Sequence, residues 1–253
     1  MKVVIGIPAR YGSTRFPGKP LCSIAGLSMI EHCYKRSSLS NYTDNVFIAC
    51  CDSQIVEKVK EFKGNYILTP KNIERPGLRV ACAAETLNLD DNDIIVVVQG
   101  DEPLVRPEMI DMAINPLLND KNIYVSNLCA EINDEDMNNP SEVKVVTDLE
   151  MNALYFSRSP IPSSDHQEEK TSWWKQVCIM PFRWHFMKKF NYSLEPTPLE
   201  KQESIEMLRA VQHGYKVKMV PTKYITKSVD NEDDRLEAEK LMLVDDLYKT
   251  KYK

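Results

Sequence analysis

The stretch Asp93-Ile94-Ile95-Val96-Val97-Val98-Gln99-Gly100-Asp101-Glu102-Pro103 limits what this chain can fold into more than any other. Five consecutive β-branched residues read as a strand buried on both faces, and the run ends on acid. Val3-Val4-Ile5-Gly6-Ile7 reads the same way, as do Val46-Phe47-Ile48-Ala49-Cys50 and the short Tyr66-Ile67-Leu68. Helical spacing of apolar residues lies between them, over Ser28 to Ser38, Ser53 to Lys63 and Arg79 to Leu87, with Lys71 to Leu78 reading as loop. Strands alternating with helices predict an α/β fold, a mainly parallel twisted sheet with right-handed crossovers flanked by helices. Ligands of such sheets bind beyond the carboxyl ends of the strands. Asp101 and the segment that follows Ile7 both fall there.

That segment, Pro8-Ala9-Arg10-Tyr11-Gly12-Ser13-Thr14-Arg15-Phe16-Pro17-Gly18-Lys19-Pro20-Leu21, has no apolar periodicity and carries three cations. Gly12 and Gly18 let the backbone approach a ligand closely and turn N–H groups towards it. Arg10 and Arg15 offer planar forks for phosphate oxygens, and Lys19 a compact charge. A triphosphate-binding loop is the reading favoured over a Pro-rich surface turn. The pattern is neither GxxxxGK[ST] nor GxGxxG, which argues against an ATPase or a dinucleotide enzyme. Asp101 reads as a Mg²⁺ ligand completed by substrate phosphates, or as a cap of the next helix. Glu102-Pro103 reads as a turn-shaping pair.

Beyond Asn122 the pattern shifts to strands over Ile123–Cys129, Val143–Asp148 and Ala153–Arg158, then Val177–Phe182 and Val217–Val220. Helices are predicted over Trp184–Phe190, Pro198–His213 and Arg235–Tyr248. Arg158, at a strand end before Ser159-Pro160-Ile161-Pro162, reads as an anion anchor or a surface cation. The acidic run Asp230-Asn231-Glu232-Asp233-Asp234 would ordinarily cap the last helix, and Asp230 is singled out as a second metal carboxylate. The net charge of −5 argues against a general nucleic-acid surface. Seven cysteines without paired spacing, no leader pattern and no apolar run of about 18 residues point to a reduced, cytoplasmic protein without a membrane span.

Taken together these residues resemble the 3-deoxy-manno-octulosonate (Kdo) cytidylyltransferases. The likeness runs nearly end to end. Pro8-Ala9-Arg10 through Thr14-Arg15, then Pro17-Gly18-Lys19-Pro20-Leu21, is close to that family's opening signature. Val98-Gln99-Gly100-Asp101-Glu102-Pro103 is similar to its central motif. Asn139-Pro140 with Val143-Lys144-Val145-Val146, and Ala153 to Arg158 with Ile161-Pro162, are similar to its substrate-domain signature. Val229-Asp230 stands where the family has a second metal-binding Asp.

The resemblance implies a Rossmann-like nucleotidyltransferase domain over residues 1–253. Residues 1–120 would form the nucleotide-binding part, 121–220 a small mixed β part for acceptor binding and dimerisation, and 221–253 would return to the core. It implies CTP and a small anionic acceptor as substrates, Mg²⁺ as cofactor and a homodimer making surface-glycan precursors, with no nucleic-acid polymer and no membrane as partner. Carried over, Arg10, Arg15, Lys19 and Asp101 would be catalytic. Pro8, Ala9, Gly12, Ser13, Arg75, Gly77, Arg79 and Gln99 would join the three cations around the nucleotide. Gln99, Arg158, Gln176, Met180, Glu206 and Arg209 would face the acceptor, and Asp101 and Asp230 the metal.

Three stretches depart from the family pattern. Arg75-Pro76-Gly77-Leu78-Arg79 stands for Ser-Gly-Thr-Asp/Glu-Arg, Gln176 to Arg183 for His-Leu-Gly-Ile-Tyr-Gly-Tyr-Arg, and Glu206-Met207-Leu208-Arg209 for Glu-Gln-Leu-Arg. A hydroxyl, an imidazole, a phenol and an amide are lost together, all groups that would hydrogen-bond a polyhydroxy acid. The expectation is nucleotidyl transfer with an altered acceptor pocket. The alternatives are an ordinary Kdo enzyme, transfer to a phosphate- or phosphonate-bearing molecule, and a non-catalytic nucleotide-binding protein.

Overall fold

The computed structural model describes residues 1–12, 16–163, 173–224 and 227–252, with the side chains of residues 134 and 135 set aside. The chain opens with β1 (Val3–Pro8), a single 3₁₀ turn at Lys19–Leu21, and a hairpin of β2 (Ser23–Ile24) and β3 (Leu27–Ser28). Then come α1 (Met29–Ser37), β4 (Asn45–Cys50), α2 (Ser53–Glu61), β5 (Tyr66–Leu68), α3 (Pro76–Ala84), β6 (Ile94–Val98) and α4 (Pro107–Asn119). The next elements are β7 (Ser126–Glu131), α5 (Asp134–Met137), β8 (Lys144–Thr147), β9 (Ala153–Ser157), β10 (Trp174–Val177) and β11 (Ile179–Arg183). The chain ends with α6 (Trp184–Tyr192), α7 (Pro198–Glu203), α8 (Met207–Gln212), β12 (Lys218–Thr222) and α9 (Glu232–Val244), and a wide helical turn over Tyr248–Tyr252.

Among the described residues these strands form two five-stranded sheets, ordered β11-β6-β1-β4-β5 and β12-β7-β10-β8-β9. In the first, β6, β1, β4 and β5 run parallel and β11 closes the edge antiparallel to β6. Every residue of Ile94–Val98 is fully buried, as the unbroken β-branched run demands. Each such side chain is worth roughly 1.5–3 kcal/mol on burial. The α/β expectation therefore holds, with the parallel sheet packed between helices.

Two sequence-based boundaries move, each for a local reason. The run 177–182 does not stay in one strand: β10 belongs to the second sheet and β11 to the first, and Cys178 alone separates them. The crossing frees backbone carbonyls from the ladders. The buried Asn127 amide takes them up, donating to Val177 O at 2.7 Å and Ile179 O at 3.3 Å. The span 198–213 likewise breaks into α7 and α8, because Ser204 adopts a left-handed conformation (φ 55°). Pro76 starts α3 within the stretch expected to be loop.

The C-terminal segment is bound to the N-terminal one. Arg36 on α1 is fully buried, donating to Asp245 Oδ1 at 2.5 Å and to the Tyr252 hydroxyl at 2.6 Å. His32 sits one turn earlier, Nε2 at 2.7 Å from Ile24 O and Nδ1 at 3.1 Å from the Tyr252 hydroxyl. Burial pushes the His32 pKa down to about 4, and the neutral ring with hydrogen on Nε2 satisfies both contacts. Val229 is buried with Ile24, Met29 and Leu104, so the start of α9 is fixed against the chain just after Lys19.

Candidate active site

β1, β4 and β6 end at one edge of the first sheet, and the site is built there. Gly100 lets the strand ends come close: a Cβ at this position would lie 2.8 Å from Pro8 O and 3.1 Å from the Ile30 side chain. Tyr11 N donates to Asp52 Oδ2 at 2.8 Å, joining the loop after β1 to the end of β4. Gly18 adopts φ 69°, the left-handed region that glycine enters at no steric cost, and starts the 3₁₀ turn that aims Lys19.

Lys19 reaches across to the two acids the sequence singled out. Its ammonium donates to Asp101 Oδ2 at 2.8 Å and to Asp230 Oδ1 at 3.0 Å. These three residues are far apart in the chain. The Val229 amide donates to the Asp101 carbonyl at 2.9 Å, which fixes the two carboxylates beside each other. Burial opposes the Lys19 charge, but Asp101 and then Asp230 outweigh it and hold the pKa above its ordinary value. Neither Asp is a helix cap: α4 starts after Arg106, and Asn231 with Asp234 forms the capping box of α9.

The carboxylate pair opens on a cavity of about 490 Å³. Gln99, Asp101 and Asp230 line one end. Arg75, Arg158, Gln176, Met180 and Glu206 line the rest, together with residues that sequence reasoning did not assign to the site: Glu74, Glu102, Glu142 and Cys178. Glu102 does more than shape a turn. Its side chain is buried on the cavity wall, and burial followed by the Asp101 charge pushes its pKa up to about 8. The Cys178 thiol is pushed up by burial, then by Glu102 and Asp101. The signal available in the sequence was position: Glu102 adjoins Asp101, and Cys178 stands where the family pattern has Gly.

The acceptor-side groups are held by partners of their own. Arg158 Nε donates to Glu203 O at 2.7 Å and Nη1 to Pro140 O at 2.8 Å. The buried Lys144 ammonium braces the same corner, donating to the carbonyls of Asn139, Glu142 and Arg158 at 2.9, 2.8 and 2.6 Å. Gln176 Nε2 donates to Asn127 Oδ1 at 2.5 Å. Glu206, turned inward by the break at Ser204, receives a long 3.4 Å bond from Gly77 N, and among the described residues its buried Oε1 has no hydrogen-bond partner. Burial raises the Glu206 pKa, against the pull of Arg75.

Other expected site residues sit elsewhere. Arg79 is buried away from the cavity, its guanidinium donating to Thr69 Oγ1 and to the carbonyls of Pro70 and Ile73. Arg209 holds the fully buried Glu200, Nε to Oε2 at 2.8 Å and Nη2 to Oε1 at 2.5 Å, and donates to Phe190 O at 2.9 Å. Both are fold-supporting cations, because each guanidinium is occupied by protein oxygens. Pro8 and Ala9 are buried at the end of β1, while Arg10 and Gly12 are exposed beyond it. Ser13 and Arg15 lie outside the described residues.

A parallel α/β sheet with a cation and two carboxylates at its carboxyl edge, opening on a polar cavity, is suited to binding a phosphate-bearing ligand. The pattern of the family described as cytidylyltransferase matches residues 3–220. The 3-deoxy-manno-octulosonate cytidylyltransferase of Pelobacter propionicus is 41% identical over 249 residues, covering 94% of this chain and 96% of that protein. The enzyme of the same name from Geobacter metallireducens is 40% identical over 245 residues, covering 92% and 95%. Among solved structures, CMP:2-keto-3-deoxy-manno-octonic acid synthetase complexed with CTP superposes with a TM-score of 0.89 at 34% identity, covering 96% of this chain and 99% of that one. The chain belongs to the 3-deoxy-manno-octulosonate cytidylyltransferase family.

Proposed function

We propose that this protein transfers the cytidylyl group of CTP to a small sugar acid of the Kdo type, with Mg²⁺ as cofactor and pyrophosphate as the second product. The observation that carries this reading is the Lys19 ammonium bonded to both Asp101 and Asp230 at the end of the cavity. Two carboxylates converging on one point are a hard-oxygen donor set, the kind that binds Mg²⁺ when substrate phosphates complete the shell. Asp101 and Asp230 would hold the ion, which when bound would neutralise phosphate charge.

The reaction is attack of an acceptor oxygen on the α-phosphorus, with the bond to the β-phosphate oxygen breaking. Positioning and charge neutralisation carry most of the work in such transfers. Lys19 and Arg10, with Arg15, would bind the phosphates that depart, and Arg158 would orient the acceptor through its acidic group.

The cavity supports an acceptor pocket altered from that of ordinary Kdo enzymes. Met180 presents a thioether, Cys178 a protonated thiol, and the Gln176 amide is already committed to Asn127. The amide and the thioether replace the imidazole and phenol that the family pattern has at the positions of Gln176 and Met180. Arg75 adds a cation, its Nη1 2.7 Å from Glu200 Oε1. The loss of the imidazole and phenol favours an acceptor with fewer hydroxyl contacts, and a phosphate- or phosphonate-bearing molecule is the second reading. Pyrophosphate release from CTP and Mg²⁺ should be screened against Kdo, simpler 2-keto-3-deoxy acids, and phosphonates. Turnover with a sugar acid supports the first reading, and turnover confined to phosphonates the second. Kdo turning over far better than every other acceptor would remove the altered pocket.

A further inference from the structure

Lys19 bonds the same two carboxylates that the proposed function gives to Mg²⁺, and its ammonium is a cation already in their grip. We infer that Lys19 acts as an internal counter-ion that competes with the divalent ion for Asp101 and Asp230, so that metal binding to the free protein is weak until a triphosphate draws Lys19 away. This inference rests on the metal assignment made above.

The geometry supplies each part. The ammonium lies 2.8 Å from one carboxylate and 3.0 Å from the other, both bonds of ordinary charge-assisted length. Asp101 and Asp230 stand beside each other at one end of the cavity, and the ammonium between them offsets their mutual repulsion. A divalent ion on the same pair would sit close to the ammonium, and the two positive charges would repel each other. One cation therefore displaces the other. Lys19 has somewhere to go: it rises from the 3₁₀ turn that Gly18 starts, and its flexible four-carbon stem can carry the charge to phosphate oxygens bound beyond the end of β1. Once there it neutralises the triphosphate instead of the carboxylates. Nucleotide and metal then favour each other's binding, and the coupling is reciprocal.

The role differs from that of a simple phosphate ligand. A phosphate ligand affects only nucleotide affinity, whereas a competing counter-ion lowers metal affinity in the absence of nucleotide. Mn²⁺ binding to the protein without nucleotide, read by the free-ion EPR signal, separates the two. Lys19→Met should bind Mn²⁺ with an affinity about tenfold or more above wild type, because the competent carboxylate pair is no longer occupied. Lys19→Gln should do the same, since an amide carries no charge. Both variants should also melt at lower temperature than wild type without metal and recover with Mn²⁺. Mn²⁺ affinity unchanged or lowered in both variants would overturn the inference, as would variants that fail to fold and are not rescued by millimolar Mn²⁺. If Mn²⁺ binding in the variants persists when Asp101 and Asp230 are both changed to Asn, the metal assignment itself fails, a separate outcome from failure of the competition.

Discussion

Asp101→Asn is expected to lose turnover on the order of 10³-fold or more while the protein keeps its fold. The carboxylate stands at the tip of the most buried strand in the chain, 2.8 Å from Lys19, and faces the cavity. Its amide would keep the shape and lose the charge on which metal and phosphate neutralisation depend. The structural cost is small for a specific reason. The Asp101 side chain is 29% exposed, so its ion pair is partly solvated and worth about 1 kcal/mol or less. Removing a negative charge beside Asp230 also relieves repulsion. For a chain of this size 1 kcal/mol corresponds to about 2–4 °C, so the melting temperature should stay within that range of wild type. Asp233→Asn, an exposed acid in the first turn of α9, is the matched control and should leave turnover unchanged. Near-normal turnover in Asp101→Asn would remove this residue from the catalytic machinery.

Arg209→Met should show the opposite profile, a large loss of stability. Glu200 is fully buried, and both of its oxygens accept from Arg209. Taking away that guanidinium strands a carboxylate in the interior, which typically costs about 3–5 kcal/mol. Arg75, 2.7 Å from the same carboxylate, offsets only part of this because its side chain sits at the cavity edge and is 35% exposed. Thermal or urea unfolding reads the effect directly. Changing both partners, Arg209→Met with Glu200→Leu, should recover part of the loss, since no carboxylate is then stranded in the interior and the partly exposed Arg75 can turn to water. An Arg209 that contacted the acceptor would instead raise the acceptor KM with little change in stability. That result would return it to the site.

The contrast between these two residues shows what the sequence could reveal. The strands were legible because burial on both faces leaves an unbroken apolar run, as in Ile94–Val98. Asp101 was legible because an acid directly after such a run stands at the edge where ligands of a parallel sheet bind. Lys19 and Asp230 were legible as candidates, although only the fold shows that they meet. Arg79 and Arg209 were misplaced because a guanidinium looks the same in sequence whether it faces a ligand or a buried oxygen. What decides is the partner, and Glu200 lies on a different helix from Arg209. The cavity wall was the least legible part. Glu102 and Cys178 enter it through the turn after β6 and the one-residue crossing between sheets. Glu206 enters through a left-handed Ser204 that helical periodicity gives no reason to expect.

A crystal structure of the protein with CTP and Mg²⁺, without acceptor, tests the central claim most directly. The account predicts a divalent ion bound by Asp101 and Asp230 and by phosphate oxygens, with the Lys19 ammonium moved from the carboxylates onto the triphosphate. A triphosphate bound away from the β1 loop, or a metal site that includes neither carboxylate, would contradict it.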